Sequence, residues 1–207
     1  MRILLDIAIS LFLTFIGIVI ALWYENLGSP KLEITPGKTT DDVKDNGWRT
    51  RFLHLNVTNK PKKRIPLVTR QTASSCHGTI SFLTLDKKQA GKAMPIRWDG
   101  NPEPIIPEII DNKIVYLPDP RLIRLSRYIE IPPDETESLA VAIRIHGDAN
   151  TYGWTSESYF HNWRHPEYEL LPGEYIVRVC ITSGDNIFRK DFQFTNPETF
   201  DAFDLKH

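Results

Sequence analysis

LPGEYIVRVCITSGDNIFRKDFQFTN, residues 171–196, is the stretch that decides the predicted fold. Apolar and polar side chains alternate over residues 175–181, which is the period of a β-strand with one buried face. SGDN at 183–186 is typical of a tight hairpin turn, and a return strand follows over 187–194. The segment therefore predicts an antiparallel β-hairpin.

Shorter runs with the same period occur through the rest of the chain. They lie at 31–35, 52–57, 76–82, 94–98, 113–117 and 139–145. In the last run, the large apolar side chains are expected to face inward and Arg144 outward. No apolar period between the runs is long enough for a major core helix, and parallel sheets need crossover helices. The pattern predicts a mainly β fold, an antiparallel β-sandwich with long loops.

The N-terminal stretch has a different character. Residues 7–24 carry no charged side chain, and the apolar run extends back to Ile3 with one interruption at Asp6. About 20 apolar residues are enough for a helix to cross the hydrocarbon core of a bilayer. Trp23 and Tyr24 close the run, and such rings favour the membrane–water interface. We expect one transmembrane α-helix that contacts the lipid bilayer through residues 3–24.

A cleaved signal peptide is the alternative interpretation of this stretch. Arg2 supplies a basic start, and the residues up to Ala21 form a passable cleavage site. The apolar run is long for a signal peptide, however, and large side chains follow at 22–24. A buried core helix would need partner helices, which the sequence does not offer. The sequence therefore favours an uncleaved, single-pass anchor.

The flanking charges bear on which side of the membrane the rest of the chain occupies. Lys31, Lys38 and Lys44 follow the helix, whereas Arg2 is offset by Asp6 on the other flank. The positive-inside rule therefore favours a cytoplasmic C-terminal domain. Because long domains translocate largely regardless of charge, the sequence leaves the side open.

The 207 residues divide into an anchor at 1–30, a sandwich domain at 31–197 and a tail at 198–207. We expect the tail to form a short helix or to fray. The domain is long for seven strands, so 99–119 and 147–172 are interpreted as insertions or elaborate loops. The net charge of −1 lacks the basic surplus of dedicated nucleic-acid binders, so no nucleic-acid partner is expected. A hydrophobic fraction of 41% argues against disorder.

Three of the predicted strand segments also resemble a known class of domain. LHLNVTN at 53–59, IPPDETESLAVAIRI at 131–145 and the segment 171–196 resemble strands of immunoglobulin-like sandwiches in prokaryotic membrane and surface proteins. In such domains a proline-glycine turn opens the penultimate strand, as Pro172-Gly173 would in this chain. The layout is similar to uncharacterised single-pass, membrane-anchored proteins of bacteria and archaea. The family's tryptophan beside an intersheet disulfide is not evident, and the resemblance implies a fold but no activity.

The most unusual segment is YGWTSESYFHNWRHPEY, residues 152–168, because it is dense in aromatic side chains. Aromatic rings with interleaved polar residues suit stacking on a sugar or a base, and they anchor protein interfaces. The candidate partner or ligand contacts are Trp154, Tyr159, Trp163 and Arg164. The alternative is that the rings pack this loop onto the sandwich as a secondary core.

The remaining reactive residues give weak signals. Cys76 and Cys180 either form a disulfide or remain free thiols, and the sequence leaves both open. His161 and His165 are four residues apart, but Pro166 follows and no HExxH motif is present. No catalytic motif is found. We therefore expect no bound metal, no cofactor and no enzymatic activity.

These observations lead to two hypotheses about function. The first is a membrane-anchored interaction or accessory module that tethers a β-sandwich to the bilayer and binds a protein partner, including another membrane protein, through its loops. The alternative is a ligand sensor that binds carbohydrate or nucleotide at 152–168. The basic cluster at 60–64 is interpreted as a solvated loop, with contact to anionic lipid as the alternative. The sequon at Asn56 matters only outside the cell.

Overall fold

The structure of the chain is a computed structural model that describes residues 2–43, 47–61, 69–125 and 128–206. Lys44 and residues 62–64 of the basic cluster lie outside the described residues. The described chain is mainly β, with antiparallel sheets and one long N-terminal helix, and this confirms the predicted fold class.

The helices and strands follow one another along the chain. They are α1 (Arg2–Gly28), β1 (Leu32–Pro36), β2 (Thr40–Val43), β3 (Arg49–Asn59), β4 (Ala73–Thr84), β5 (Met94–Pro95), β6 (Arg97–Trp98), β7 (Ile105–Ile110), β8 (Lys113–Pro118), α2 (Pro120–Leu125), β9 (Ile129–Ile131), β10 (Thr136–Ile145), β11 (Thr151–Gly153), β12 (Glu169–Leu170), β13 (Gly173–Ser183), β14 (Asn186–Asn196) and β15 (Asp204–Lys206). Short 3₁₀ helices lie at Ser156–His161, Pro166–Tyr168 and Phe200–Ala202.

Two sheets form the sandwich. The first has the order β1-β3-β10-β11-β12, with β2 also paired to β3 and β6 to β10. The second has the order β15-β14-β13-β4-β5, with β9 also paired to β4. The hairpin predicted at 171–196 is formed by β13 and β14, which pair from Gly173–Asn196 to Ser183–Asn186 and leave a two-residue turn. This local pairing is confirmed.

The core lies between the two sheets. Every second side chain of β3 and of β13 and β14 points into it, which is the alternation that the sequence shows. Each such side chain contributes about 1.5–3 kcal/mol when fully buried. The members from these strands are Leu53, Leu55, Val57, Val177, Val179, Ile181, Phe192 and Phe194.

The predicted facing of β10 is wrong in its second half. A β-bulge between Ala140 and Ala142 shifts the register of β10 against β3. Because an extra residue reverses the alternation, Ala142 packs in the core between the sheets and Ile143 packs in a separate cluster outside it. Arg144, expected to face outward, is 1% exposed and lies toward the second sheet.

A buried asparagine ties the two sheets together at the end far from the helix. Asn196 donates to the carbonyl oxygens of Leu170 (2.9 Å) and Leu171 (2.8 Å). Its side-chain oxygen accepts from the Arg144 guanidinium at 2.8 Å and from the Thr151 hydroxyl at 2.7 Å. These four bonds satisfy the amide and fix the end of β14 on the first sheet.

A second buried asparagine holds the end next to the helix. The Asn59 amide donates to the carbonyls of Gln71 (2.9 Å) and Ile131 (3.0 Å), and its oxygen accepts from the Lys31 backbone at 3.2 Å. The Gln71 backbone in turn donates to the carbonyl of Gly28 at 2.8 Å. The carboxyl end of α1 is therefore hydrogen-bonded to the sandwich.

The helix α1 is apolar and does not pack into the sandwich. Its segment Ile9–Gly28 has a mean hydropathy of 1.7, and residues 9–26 of that segment are all exposed, whereas Gly28 at its end is buried. Trp23 and Tyr24 are 61% and 51% exposed. Length and composition suit a membrane span, and a signal sequence would meet the same criteria. The helix is thus not a core helix of this domain.

The expected boundary at residue 197 does not coincide with the edge of the sandwich. After a 3₁₀ turn, β15 pairs with β14 and extends the second sheet. Phe203 and Leu205 are 2% and 7% exposed, because their side chains enter the core. Most of the tail is therefore part of the sandwich.

The two cysteines are free thiols on opposite faces of the second sheet. Cys76 on β4 is completely buried in the core. Cys180 on the neighbouring strand β13 alternates with the inward-facing Val179 and Ile181, so it faces out. Side chains on opposite faces of one sheet cannot reach disulfide geometry.

Candidate functional site

The aromatic segment 152–168 folds back over the outer face of the first sheet. Tyr152 and Trp154 join Phe52, Ile143 and Trp163 in a cluster separate from the main core, hereafter the outer-face cluster. The Trp154 ring lies 4.6 Å from that of Phe52 and 6.1 Å from that of Trp163. The segment thus has a small hydrophobic core of its own.

Local hydrogen bonds set the course of this segment. Thr155 caps the following 3₁₀ helix, since its hydroxyl accepts from the Glu157 backbone at 3.0 Å. The Ser158 hydroxyl accepts from the Thr155 backbone (3.1 Å) and donates to the Gly153 carbonyl (3.0 Å). A Cβ atom at Gly153 would lie 2.5 Å from the sulfur of the buried Met94, so a larger residue there would force the Met94 side chain to shift. The sequence TSES therefore builds a capping box that turns the chain.

The structure brings three of the four predicted contact residues together. Trp154 is only 9% exposed, whereas Tyr159 and Trp163 are half-buried with ring centroids 4.2 Å apart. Arg164 lies apart from this stack. Its guanidinium is paired with Asp148 at 2.7 Å and lies 5.8 Å from the Trp48 ring. Of the three rings, those of Tyr159 and Trp163 therefore keep the larger exposed fraction.

A buried arginine underlies the rings. Arg97 is 4% exposed, and its guanidinium lies 5.7 Å from the Trp154 ring and 5.5 Å from the Tyr159 ring. It donates to the carbonyls of Trp98 (3.2 Å) and Asn101 (3.1 Å). Within the described residues, Nε of Arg97 and Nε1 of Trp154 are buried without a hydrogen-bond partner. The cluster therefore combines a positive charge with aromatic surface.

A histidine next to the outer-face cluster forms hydrogen bonds with a hydroxyl and with a carboxylate. His54 Nδ1 lies 2.6 Å from Asp99 Oδ2, and His54 Nε2 lies 3.0 Å from the Thr40 hydroxyl. Burial raises the pKa of Asp99, but the hydrogen bonds from His54 and Ser138 outweigh it and leave that pKa below its usual value. An ionised carboxylate can only accept, so Nδ1 donates to Asp99. The two hydrogen bonds therefore fix the orientation of the His54 ring on the sheet surface.

Sequence reasoning did not find this group. The run 52–57 shows His54 on the face opposite Leu53 and Leu55, but a lone histidine there carries no signal of a partner. The turn containing Arg97 and Asp99 lies far along the chain, and β6 is only two residues long. The pairing of β6 with β10 is what brings the turn to His54.

His161 and His165 do come close, with ring centroids 4.2 Å apart. Burial and the neighbouring His161 lower the pKa of His165. Across the described ranges, no group of three or more His, Cys, Asp and Glu side chains is placed to hold a metal ion.

A second surface lies in the predicted insertion at 99–119. There β7 and β8 form a hairpin that pairs with neither sheet of the sandwich. Ile109 is paired with Ile114, and Pro107 with Tyr116. These four residues share one face by strand alternation. Ile109, Ile114 and Tyr116 are 79%, 66% and 63% exposed. The hairpin thus presents a continuous apolar face, hereafter the hairpin face.

Comparison with protein-family models, curated proteins and solved structures finds no match to this chain.

Proposed function

We propose that the chain is a single-pass, membrane-anchored interaction module. In this proposal α1 lies in the bilayer, the sandwich is held at the membrane surface, and a protein partner binds through the loops of the sandwich. The support for the anchor is the apolar helix, which is exposed over residues 9–26 and does not pack against the domain there. Tethering raises the local concentration of a partner at the membrane.

The main support for a protein partner in this proposal is the hairpin face. A two-stranded hairpin is marginally stable in water unless its apolar face is covered. This hairpin exposes Ile109, Ile114 and Tyr116 to solvent. A contiguous exposed apolar surface of this kind is typical of a protein–protein contact. We infer that a protein partner, including another membrane protein, covers it.

Photocrosslinking in native membranes tests this proposal. A photoreactive amino acid at position 109 or 116 should give a discrete protein adduct, and the same group at Lys88, on an exposed turn, should give none. The double variant Ile109→Ser/Ile114→Ser should abolish the adduct from position 116. Its thermal unfolding should be unchanged, since the hairpin pairs with neither sheet. Absence of an adduct, or adducts of equal yield from position 88, would contradict the proposal.

The proposal also covers the type of sandwich and the side of the membrane on which it lies. We propose that the sandwich is immunoglobulin-like, as its resemblance implies, and that it faces the cytoplasm. Lys31 and Lys38 support that orientation, because basic residues near a membrane helix favour the inside. Two cysteines that cannot pair are compatible with a reducing compartment.

A second candidate function is ligand sensing at 152–168. It is favoured by the half-buried rings of Tyr159 and Trp163 above the charge of Arg97. A carbohydrate or nucleotide stacked there at about 100 times its dissociation constant would stabilise the chain by about 2.7 kcal/mol. A thermal-shift panel should show such an effect, and Trp163→Ala should remove it. A panel without any stabilising compound would rule this function out.

A further inference from the structure

The end of the sandwich next to α1 contains a cleft of about 1040 Å³. It lies between the start of β1 and the turn of the β13–β14 hairpin. Among the residues that the structure describes, five basic side chains and two carboxylates line it. The basic residues are Lys31, Lys60, Arg70, Arg189 and Lys190. The surplus of positive charge in a concave surface favours an anionic ligand.

The contacts within the cleft show how these charges are arranged. Lys60 forms an ion pair with Glu33. This hydrogen bond is the main cause that lowers the pKa of Glu33; burial opposes it, and the charges of Lys60, Lys190 and Lys31 add smaller lowering effects. Lysines from three separate segments therefore surround one carboxylate, which neutralises only one of them.

Arg70 lies at the joint between helix and sandwich. Its Nη1 donates to the carbonyl of Ser29, directly after the end of α1. Its Nε is buried and has no hydrogen-bond partner in the part of the chain that the structure describes. A buried N–H of a guanidinium without an acceptor is costly, and a phosphate oxygen would satisfy it.

The position of the cleft follows from the chain. Lys31 is three residues after Gly28, so an extended backbone spans at most about 11 Å between them. The headgroup layer on each side of a bilayer is about 5–8 Å thick. With α1 in the membrane, the mouth of the cleft therefore lies at the depth of the lipid phosphates or close above them.

The rim of the cleft is apolar on one side. Ile187 lies at the start of the return strand, directly after the two-residue turn and Asn186, and is 70% exposed. Arg189 and Lys190 follow it and line the cleft. An apolar side chain next to cations matches a lipid, whose phosphate lies beside its glycerol and acyl chains.

We propose that this cleft binds the phosphate-bearing headgroup of an anionic phospholipid in the leaflet next to the sandwich. The proposal rests on the membrane anchoring proposed above. It adds a specific lipid contact that would fix the orientation of the sandwich on the membrane surface.

The test uses the full chain in neutral detergent micelles, titrated with phosphatidylglycerol or with phosphatidylcholine of the same acyl chains. Phosphatidylglycerol should bind and phosphatidylcholine should not. Lys31→Gln/Arg189→Gln/Lys190→Gln should weaken phosphatidylglycerol binding by about 100-fold, at roughly a factor of five per basic residue. The control Lys38→Gln/Lys87→Gln/Lys88→Gln removes the same charge outside the cleft and should bind like the unmodified chain.

Three results would overturn the proposal. The first is that phosphatidylcholine binds as tightly as phosphatidylglycerol. The second is that the control variant loses as much affinity for phosphatidylglycerol as the cleft variant does. The third is that inorganic phosphate at equal concentration displaces phosphatidylglycerol, which would indicate a site for a soluble anion. The lipid titration is done in micelles and does not depend on membrane anchoring or on a protein partner. A failure to bind phosphatidylglycerol would therefore overturn the lipid proposal alone. The proposed function would be overturned by different results, namely release of the chain from membranes or absence of a crosslink at the hairpin face.

Discussion

Arg144 holds the far end of the sandwich closed. Its guanidinium donates to the Asn196 side chain at 2.8 Å, to the carbonyl of Glu198 at 2.9 Å and to the carbonyl of Pro197. Since these acceptors belong to the second sheet and the segment that follows it, and Arg144 to the first sheet, one side chain joins the two layers. Burial without a directly paired carboxylate lowers the pKa of Arg144.

Replacing this residue should be costly. Arg144→Leu removes a buried charged donor to Asn196 and leaves the part-buried carbonyls of Pro197 and Glu198 without it, and we expect a loss of about 3 kcal/mol in the free energy of unfolding. Denaturant unfolding of the full chain in neutral detergent, followed by tryptophan fluorescence, measures it. The control Arg178→Leu breaks the surface pair with Asp191 and should cost less than about 1 kcal/mol. Equal losses in both variants would refute the role of Arg144.

At the residue scale the sequence explains the core but not this arginine. The alternation that places Leu53, Leu55 and Val57 in the core is a local property, and the structure follows it. The bulge at Ala140 depends on how β10 meets β3, which no local pattern records. For the same reason the cluster of His54, Asp99 and Arg97 could not be predicted.

At the element scale, β2 is an exposed edge strand held by charge. Asp41 on β2 accepts hydrogen bonds from Arg51 at 2.6 Å and from Arg49 at 2.6 Å, both on β3. The hydrogen bond from Arg51 is the main cause that lowers the pKa of Asp41 to about 2, against a smaller effect of burial. The strand has no buried side chain, so this ion-pair network adds to the backbone pairing with β3 in holding the strand on the sheet.

The stability that Asp41 contributes should therefore depend on pH. A folded pKa below the unfolded value means that the contribution is complete above about pH 4 and is lost as pH falls toward 2. Asp41→Asn should cost about 1 kcal/mol at pH 6, and the difference from the unmodified chain should vanish near pH 2. Unfolding measured across this range tests it, with Asp42→Asn as the control. A difference that is independent of pH would contradict this role of Asp41.

Long elements were easier to predict than short ones. The β13–β14 hairpin carries its own turn and alternation within 171–196, so the sequence suffices. Strands such as β6 and β12 are two residues long and exist only because a longer strand lies beside them. The tail belongs to the sheet for a similar reason, since β15 pairs with the longer strand β14, and Phe203 and Leu205 pack in the core beside it.

At the scale of the whole molecule, the helix and the sandwich share a hydrogen-bonded joint. Gln71 and Arg70 bind the carbonyls of Gly28 and Ser29. A joint of this kind restricts the angle between anchor and domain more than a flexible linker would. The joint would thereby hold the basic cleft at a defined position relative to the membrane surface.

The proposed function depends most on whether α1 stays in the membrane as part of the chain. The direct measurement is alkaline extraction of membranes that contain the expressed protein, followed by the intact mass of the protein in each fraction. We predict an uncleaved chain that remains with the membrane pellet. A shortened chain, cut near Ala21 and released into the soluble fraction, would contradict the membrane-anchored function.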